Sequence, residues 1–320
     1  MKFPVFDLHC DTALALLGNS LRECGNLREN NYHIDLNRAG KLGGYAQCFA
    51  CFTTTLESRL SPVQLFEREM DSVMREITRN SDRIHLAYGA KDIIENQRQG
   101  IMSGVLTIEG PAGFGFDPAL LQDLYHAGFR MTTLSWNERN PLTGSHATGG
   151  GLTDLGREYV KEAQRVGMII DVSHISQEAF WDIAKITQAP IVASHSDSMA
   201  VCHHSRNLTD DMFRAICELG GAVGINLYSD FLGDHPTIDT VCDHIFHFLE
   251  MDSQGKHIAL GGDLDGCEKL PEGFTGVQDY EKLANRLLER GLNENSVMDI
   301  FWNNAMGVMD RAVCNHAQSS

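Results

Sequence analysis

Eight short apolar runs alternate with amphipathic stretches along the whole chain, and this alternation restricts the fold more than any other feature. The runs cover 3–8, 45–52, 104–108, 130–134, 168–172, 191–193, 221–226 and 257–260. Each is strand-length and nearly continuously apolar, as expected of strands buried on both faces of a parallel sheet. The segments between them carry helical patterns. In 62–78, Leu65, Met70, Val73, Met74 and Ile77 recur near one face. Residues 117–126 open on Asp117-Pro118, a cap and first turn, and place Leu120, Leu121 and Leu124 behind it. Stretches 153–165, 176–186 and 209–219 each open on Ser or Thr. Two further helices, 277–290 and 294–306, close the chain before a polar tail at 315–320, which is expected to fray.

Eight strands, each followed by a helical stretch, predict a single α/β domain over 1–320, a (β/α)8 TIM-type barrel. The alternative is a doubly wound open sheet. Polar residues at the strand ends decide between them. The first run ends in His9 and Asp11, two apart, so that strand alternation turns both to one face and Cys10 to the other. The third ends in Glu109 after Val105-Leu106-Thr107-Ile108, a costly place for a carboxylate unless it is paired or binds a metal. The fifth and sixth deliver His174 and His195, and the eighth delivers Asp263. Each alone reads as a satisfied core histidine, a helix-capping acid or a surface pair. From strands one, three, five, six and eight they converge only if the sheet closes into a ring.

Three imidazoles and two carboxylates exceed one tetrahedral zinc but suit two metals sharing a carboxylate. Glu109 is the natural bridge, giving His9, Asp11 and Glu109 to one ion and Glu109, His174 and His195 to the other. Such a pair shares an acidified hydroxide that attacks a carbonyl, and Asp263 is placed to carry the proton to the leaving group.

Bulk properties exclude other classes. With 42% hydrophobic residues the chain can bury a large core, which argues against disorder. A formal charge of −17 argues against nucleic acid and anionic membranes as partners. No window is apolar enough for a membrane span or a signal peptide. The nine cysteines have no regular spacing. Cys48 and Cys51 fall on opposite faces of one predicted strand, so neither a shared metal nor a disulfide is expected there. They read as reduced residues of a cytoplasmic protein. The run Thr148-Gly149-Gly150-Gly151 lacks the spacing of a phosphate cradle and is expected to form a mobile loop near the mouth.

As an ordered set, His9-x-Asp11, Glu109-Gly110, Asp171-Val172-Ser173-His174, Ser194-His195-Ser196, His204-Ser205-Arg206-Asn207-Leu208-Thr209-Asp210 and Gly262-Asp263-Leu264-Asp265-Gly266 resemble the membrane (renal) dipeptidase family. That family is a branch of the metal-dependent amidohydrolases. The resemblance runs from about Phe3 to Met309. It implies a distorted metal-dependent hydrolase barrel with two zinc ions bridged by Glu109 and a hydroxide or water. It also implies hydrolysis of dipeptides with free ends, including those with a D-residue at the carboxyl end, and a homodimer. Carried over by position, His9, Asp11, Glu109, His174 and His195 are ligands, Asp263 is the proton carrier, and Arg206 grips the substrate carboxylate. Tyr228 falls where a substrate-facing tyrosine is placed.

One departure stands out. Where mammalian members carry a histidine that holds the substrate carbonyl, this chain has Trp136, in Ser135-Trp136-Asn137-Glu138-Arg139-Asn140. Indole donates one hydrogen bond and cannot become a cation. Either Trp136, Asn137 or Asn140 takes over, or activation rests on the metals; Trp136 as a plain pocket wall is the alternative. His146, His203, His204 and His235 read as surface residues. Two other readings stay open: another binuclear amidohydrolase acting on cyclic amides or by deamination, and a catalytically silent metal-binding barrel. Cyclic-amide hydrolases and deaminases commonly use His-x-His and a carboxylated lysine on strand four, neither of which is present here.

Overall fold

In the computed structural model, residues 2–18, 25–56 and 59–319 are described, with side chains through Arg311. The eight runs become eight parallel strands: β1 (Val5–Cys10), β2 (Tyr45–Phe52), β3 (Met102–Glu109), β4 (Phe129–Thr133), β5 (Ile169–Asp171), β6 (Ile191–Ala193), β7 (Ala222–Ile225) and β8 (Ile258–Leu260). Neighbours pair in order. Asp7 opposite Leu260 joins β1 to β8 and closes the ring, so the barrel is borne out and the open sheet is not. A short strand, Ile84–Leu86, lies outside the eight. It pairs with the lower half of β3 on the edge that β4 takes further up. Three residues carry too little periodicity to be read from sequence.

Among the described residues, nine helices of five or more residues cover the outside before the C-terminal one. They are α1 (Pro62–Arg79), α2 (Ala90–Arg98), α3 (Leu121–Ala127), α4 (Asp154–Arg165), α5 (Gln177–Ile186), α6 (Asp210–Glu218), α7 (Ile238–Met251), α8 (Tyr280–Glu289) and α9 (Glu294–Met298). The predicted Ser and Thr caps are real. Thr153, Ser176 and Thr209 each accept a hydrogen bond from the backbone N–H three residues on, and Ser61, not read as a cap from the sequence, does the same. Helices α2 and α7 escape the sequence pattern. In α7, apolar and polar residues do not segregate cleanly, although Thr237 caps it with Thr240 answering in a capping box.

The last predicted helix differs too. Residues 294–306 are not one helix: α9 passes through a π turn (Asp299–Asn303) into α10 (Asn304–Ser319). The helix thus continues where a frayed tail is expected. The π turn and the start of α10 insert Trp302, Ala305, Met306 and Met309 into the lower bore, against Phe6, Leu8, Val105 and Ala259. A second apolar layer lies between strands and outer helices. Cys48 belongs to the bore and Cys51 to the outer layer, so the CxxC pair does face opposite ways. Seven cysteines are free thiols; Cys24 and the side chain of Cys314 lie outside the described residues. Among the described residues no helix is long and apolar enough to cross a membrane.

Candidate metal centre at the barrel mouth

The ends of β1, β3, β5 and β6 bring four of the predicted ligands into one buried cluster. His9 Nε2 lies 3.4 Å from Glu109 Oε2 and 3.9 Å from Asp11 Oδ2. Glu109 Oε1 lies 2.9 Å from His174 Nε2 and 3.8 Å from His195 Nε2. His9, Asp11 and Glu109 form one group of ligand-type atoms, and Glu109, His174 and His195 another, with Glu109 common to both. Asp263 Oδ1 stands 3.7 Å from His9 Nε2. His9 and His195 stack, with ring centroids 3.8 Å apart.

Local backbone chemistry aims these groups. The register of β1 slips between Asp7 and Cys10. The Asp7 carboxylate accepts from His9 N (3.0 Å) and Gly262 N (3.1 Å), and Tyr280 Oη donates to it. His9 N–H is thereby taken out of the ladder. Leu8 fills the bore while His9, next to it, reaches the site. Cys10 turns into the outer layer, opposite His9 as expected, because the slip shifts the alternation that puts Phe6 and Leu8 in the bore. Asp171 repeats the device: Oδ1 accepts from Ser173 N and Ser194 N, both at 2.9 Å. Asp197 Oδ1 accepts from Asn226 N at 3.2 Å. These three buried aspartates staple each strand end to the next or to its own turn. His174, Asp263 and Asp265 hold positive φ (67°, 54° and 70°), a conformation uncommon for such residues and found where the surroundings enforce it. Gly266 is required here, since a Cβ would collide with the Asp11 and Asp263 carboxylates.

Hydrogen bonds set the histidine tautomers. Ser194 Oγ donates to Asp171, so the contact of 2.7 Å from His195 Nδ1 must place the ring proton on Nδ1. Asn137 Oδ1 lies 2.9 Å from His174 Nδ1 and 2.8 Å from His146 Nε2, and an amide oxygen only accepts. Both rings therefore point an Nε2 lone pair at the other across 2.8 Å. Two acceptors cannot bond to each other; a cation between or beside them resolves the contact. His9 Nε2 and Asp11 Oδ1 are buried with no hydrogen-bond partner. The donor set and these orphaned atoms fit divalent metal.

Burial dominates the electrostatics. It lifts Glu109 to about 7 against the pull of His9, and Asp263 to about 6. It holds His174 and His195 well below the ordinary imidazole value, with Arg206 adding to the effect at both. At His9, burial opposes the charge, but Glu109 and Asp11 outweigh it and raise the group well above its usual value.

Arg206 is buried behind this cluster. Its Nη2 donates to His195 O at 3.2 Å, its Nε has no partner, and its guanidinium lies 5.3 Å from the Phe231 ring centre. Tyr228 packs edge-on against the same Phe231, at 4.8 Å. Trp136 meets Phe52 edge-on at 5.1 Å and stands 6.4 Å from the His174 ring. Asn137 orients His174, and Asn140 closes its own turn through Leu134 O and Leu142 N.

Sequence reasoning missed Asp7, Asp171, Asp197, Asn226 and His146. An aspartate inside an apolar run, two residues before a ligand or a serine, is the signal that could have found the first two. Asn226 donates to Asp263 Oδ2 at 3.3 Å. His146 is half-buried rather than a free surface residue: it bridges Asn137 and Ser205 Oγ (2.8 Å each), and burial with the nearby Arg206 brings it down to about 4. His204 packs on Phe231, while His203 and His235 are exposed, as expected. The glycine run after β4 is held rather than loose, through Arg139 Nη2 to Gly149 O (2.8 Å) and Ser176 Oγ to Gly150 O (2.7 Å).

The membrane dipeptidase family, peptidase family M19, matches the chain over residues 1–320. An alignment of 214 positions, covering 65% of this chain, is 36% identical to an uncharacterised dipeptidase of Schizosaccharomyces pombe and spans 52% of it, so the match covers about half of that relative's length. An uncharacterised Klebsiella pneumoniae protein from the region 5′ of pqqA is 33% identical over 263 residues, covering 78% of this chain and 96% of that protein. Among solved structures, a metallopeptidase of Rhodobacter sphaeroides, liganded with a phosphinate mimic of L-Ala-D-Ala, has a TM-score of 0.89 at 26% identity. The alignment covers 98% of this chain and all of that one.

Proposed function

The chain belongs to the membrane dipeptidase family, and we propose that it is a metal-dependent dipeptidase acting on dipeptides with free ends and an L- or D-residue at the carboxyl end. One observation carries this reading: two imidazole acceptors face each other 2.8 Å apart beside a carboxylate that both approach. His9, Asp11 and Glu109 would hold one divalent cation and Glu109, His174 and His195 a second, and zinc suits these nitrogen and oxygen donors. When bound, such a pair supplies Lewis acidity and a water acidified enough to attack a carbonyl near neutral pH.

The chain's own groups supply the rest. Asp263, lifted to about 6 by burial, is poised to take a proton from the attacking water and return it to the departing amine. Asn226 orients it through Oδ2 and leaves Oδ1 toward His9. Arg206 offers a buried guanidinium with an unpaired Nε, suited to a substrate carboxylate, and Phe231 beneath it limits its swing. Trp136 and Tyr228 stand as walls on either side, Trp136 beside His174 and Tyr228 beside Phe231. The likeness to the Rhodobacter enzyme, whose ligand imitates L-Ala-D-Ala, supports the substrate class.

Metal analysis with a substrate panel tests the proposal. About two zinc per chain, with turnover of L-L and L-D dipeptides, is the expected result. Turnover of dihydroorotate or adenosine instead would transfer the chain to another amidohydrolase class. Full metal occupancy with no turnover would make it a silent barrel.

A further inference from the structure

Helices α6 and α7 both end at the foot of the barrel, and three metal-binding side chains meet there, outside the machinery described above. Cys217 sits in the last turn of α6, Asp252 caps the end of α7, and His257 lies just before β8. Each offers one ligand atom, and the three atoms lie within 4.8 Å of one another among half-buried residues. Zinc bonds of about 2.0–2.3 Å set tetrahedral ligand atoms about 3.5 Å apart. The cluster therefore needs to close by about 1 Å, which half-buried side chains can do by small rotations.

Three further observations prepare the place for a cation. His257 Nδ1 lies 2.7 Å from Gly221 O. A carbonyl only accepts, so the ring proton is on Nδ1 and the Nε2 lone pair is left for a ligand. Metal-binding histidines ordinarily have this support. The Asp252 carboxylate is anchored by His257 N at 2.9 Å through Oδ2 alone. Two helix C-termini face the spot, each with partial negative charge. Burial, with Asp252 and Glu218 nearby, pushes the Cys217 thiol up to about 12. A cation would displace that proton.

We infer that Cys217, Asp252 and His257 form a separate site for a single borderline-soft divalent cation of the zinc class, with water completing the coordination. Binding releases the thiol proton to solvent and clips the ends of α6 and α7 to the entry of β8.

Cobalt(II) titrated into the full-length protein tests it. None of the ligands assigned to the mouth is a thiolate, so a thiolate-to-cobalt charge-transfer band that depends on Cys217 reports the foot. The expected result is one saturable band per chain, absent in Cys217→Ser and more than about tenfold weaker in apparent affinity in Asp252→Asn. Dipeptide turnover, recorded on the same samples, should be unchanged in both variants, so failure of the catalytic reading registers separately. No band in the parent protein, or the same band in Cys217→Ser, would overturn the inference.

Discussion

At the foot of the barrel, Trp302, Ala305, Met306 and Met309 fill the bore with apolar surface. At the mouth, His9, Glu109, His174 and His195 are buried as deeply, yet they leave lone pairs facing one another. In the bore the foot follows the ordinary rule that like packs with like, and the helix plug is pinned there by Asn304 Nδ2 donating to Gly255 O and Ile258 O. The mouth accumulates what a fold normally avoids: carboxylates lifted by burial, unpartnered polar atoms and three non-glycine residues at positive φ. One end of the ring therefore stabilises it, and the other holds polar groups in an arrangement that a bound cation would satisfy.

This contrast can be broken by experiment, starting where the effect is largest. Asp263→Asn should lower kcat by about 10²–10⁴-fold while metal analysis finds the cations still in place. Turnover that survived would remove Asp263 from the chemistry. At the other end, Trp302→Ala should cost about 3–5 kcal/mol in denaturant unfolding and leave kcat per folded molecule unchanged. An equal fall in kcat would show that the two ends are not independent. Arg206→Ala should weaken transition-state binding of dipeptides by about 1.5–3 kcal/mol, read as a raised KM, and spare substrates with a blocked carboxyl group. Equal loss on both would refute the carboxylate grip. Asn137→Ala should loosen metal by roughly 10- to 100-fold in competition with a chelator, through release of the His174 ring. A change in KM alone would instead place Asn137 against the substrate.

Much of this site is legible in the chain. Runs of apolar residues mark where strands end, and a carboxylate or imidazole at such an end has few bland explanations, as Glu109 and the pair His174 and His195 illustrate. The residues that aim them are not legible. Asp171 and Ser194 are twenty-three positions apart, and only the pairing of β5 with β6 brings them into contact. His146 looks like one more loop histidine until the segment after β4 folds back over Asn137 and under Ser205.

By itself the sequence determined the eight strands, the capped helices and the identity of the polar groups at the mouth, because alternation, periodicity and capping are local stereochemistry. The tertiary structure alone decided the slip at Asp7, the tautomers of His174 and His195, the π turn and the plug at the foot. Those depend on which distant groups compete for the same hydrogen bond or the same space, and that competition exists only once the ring is closed.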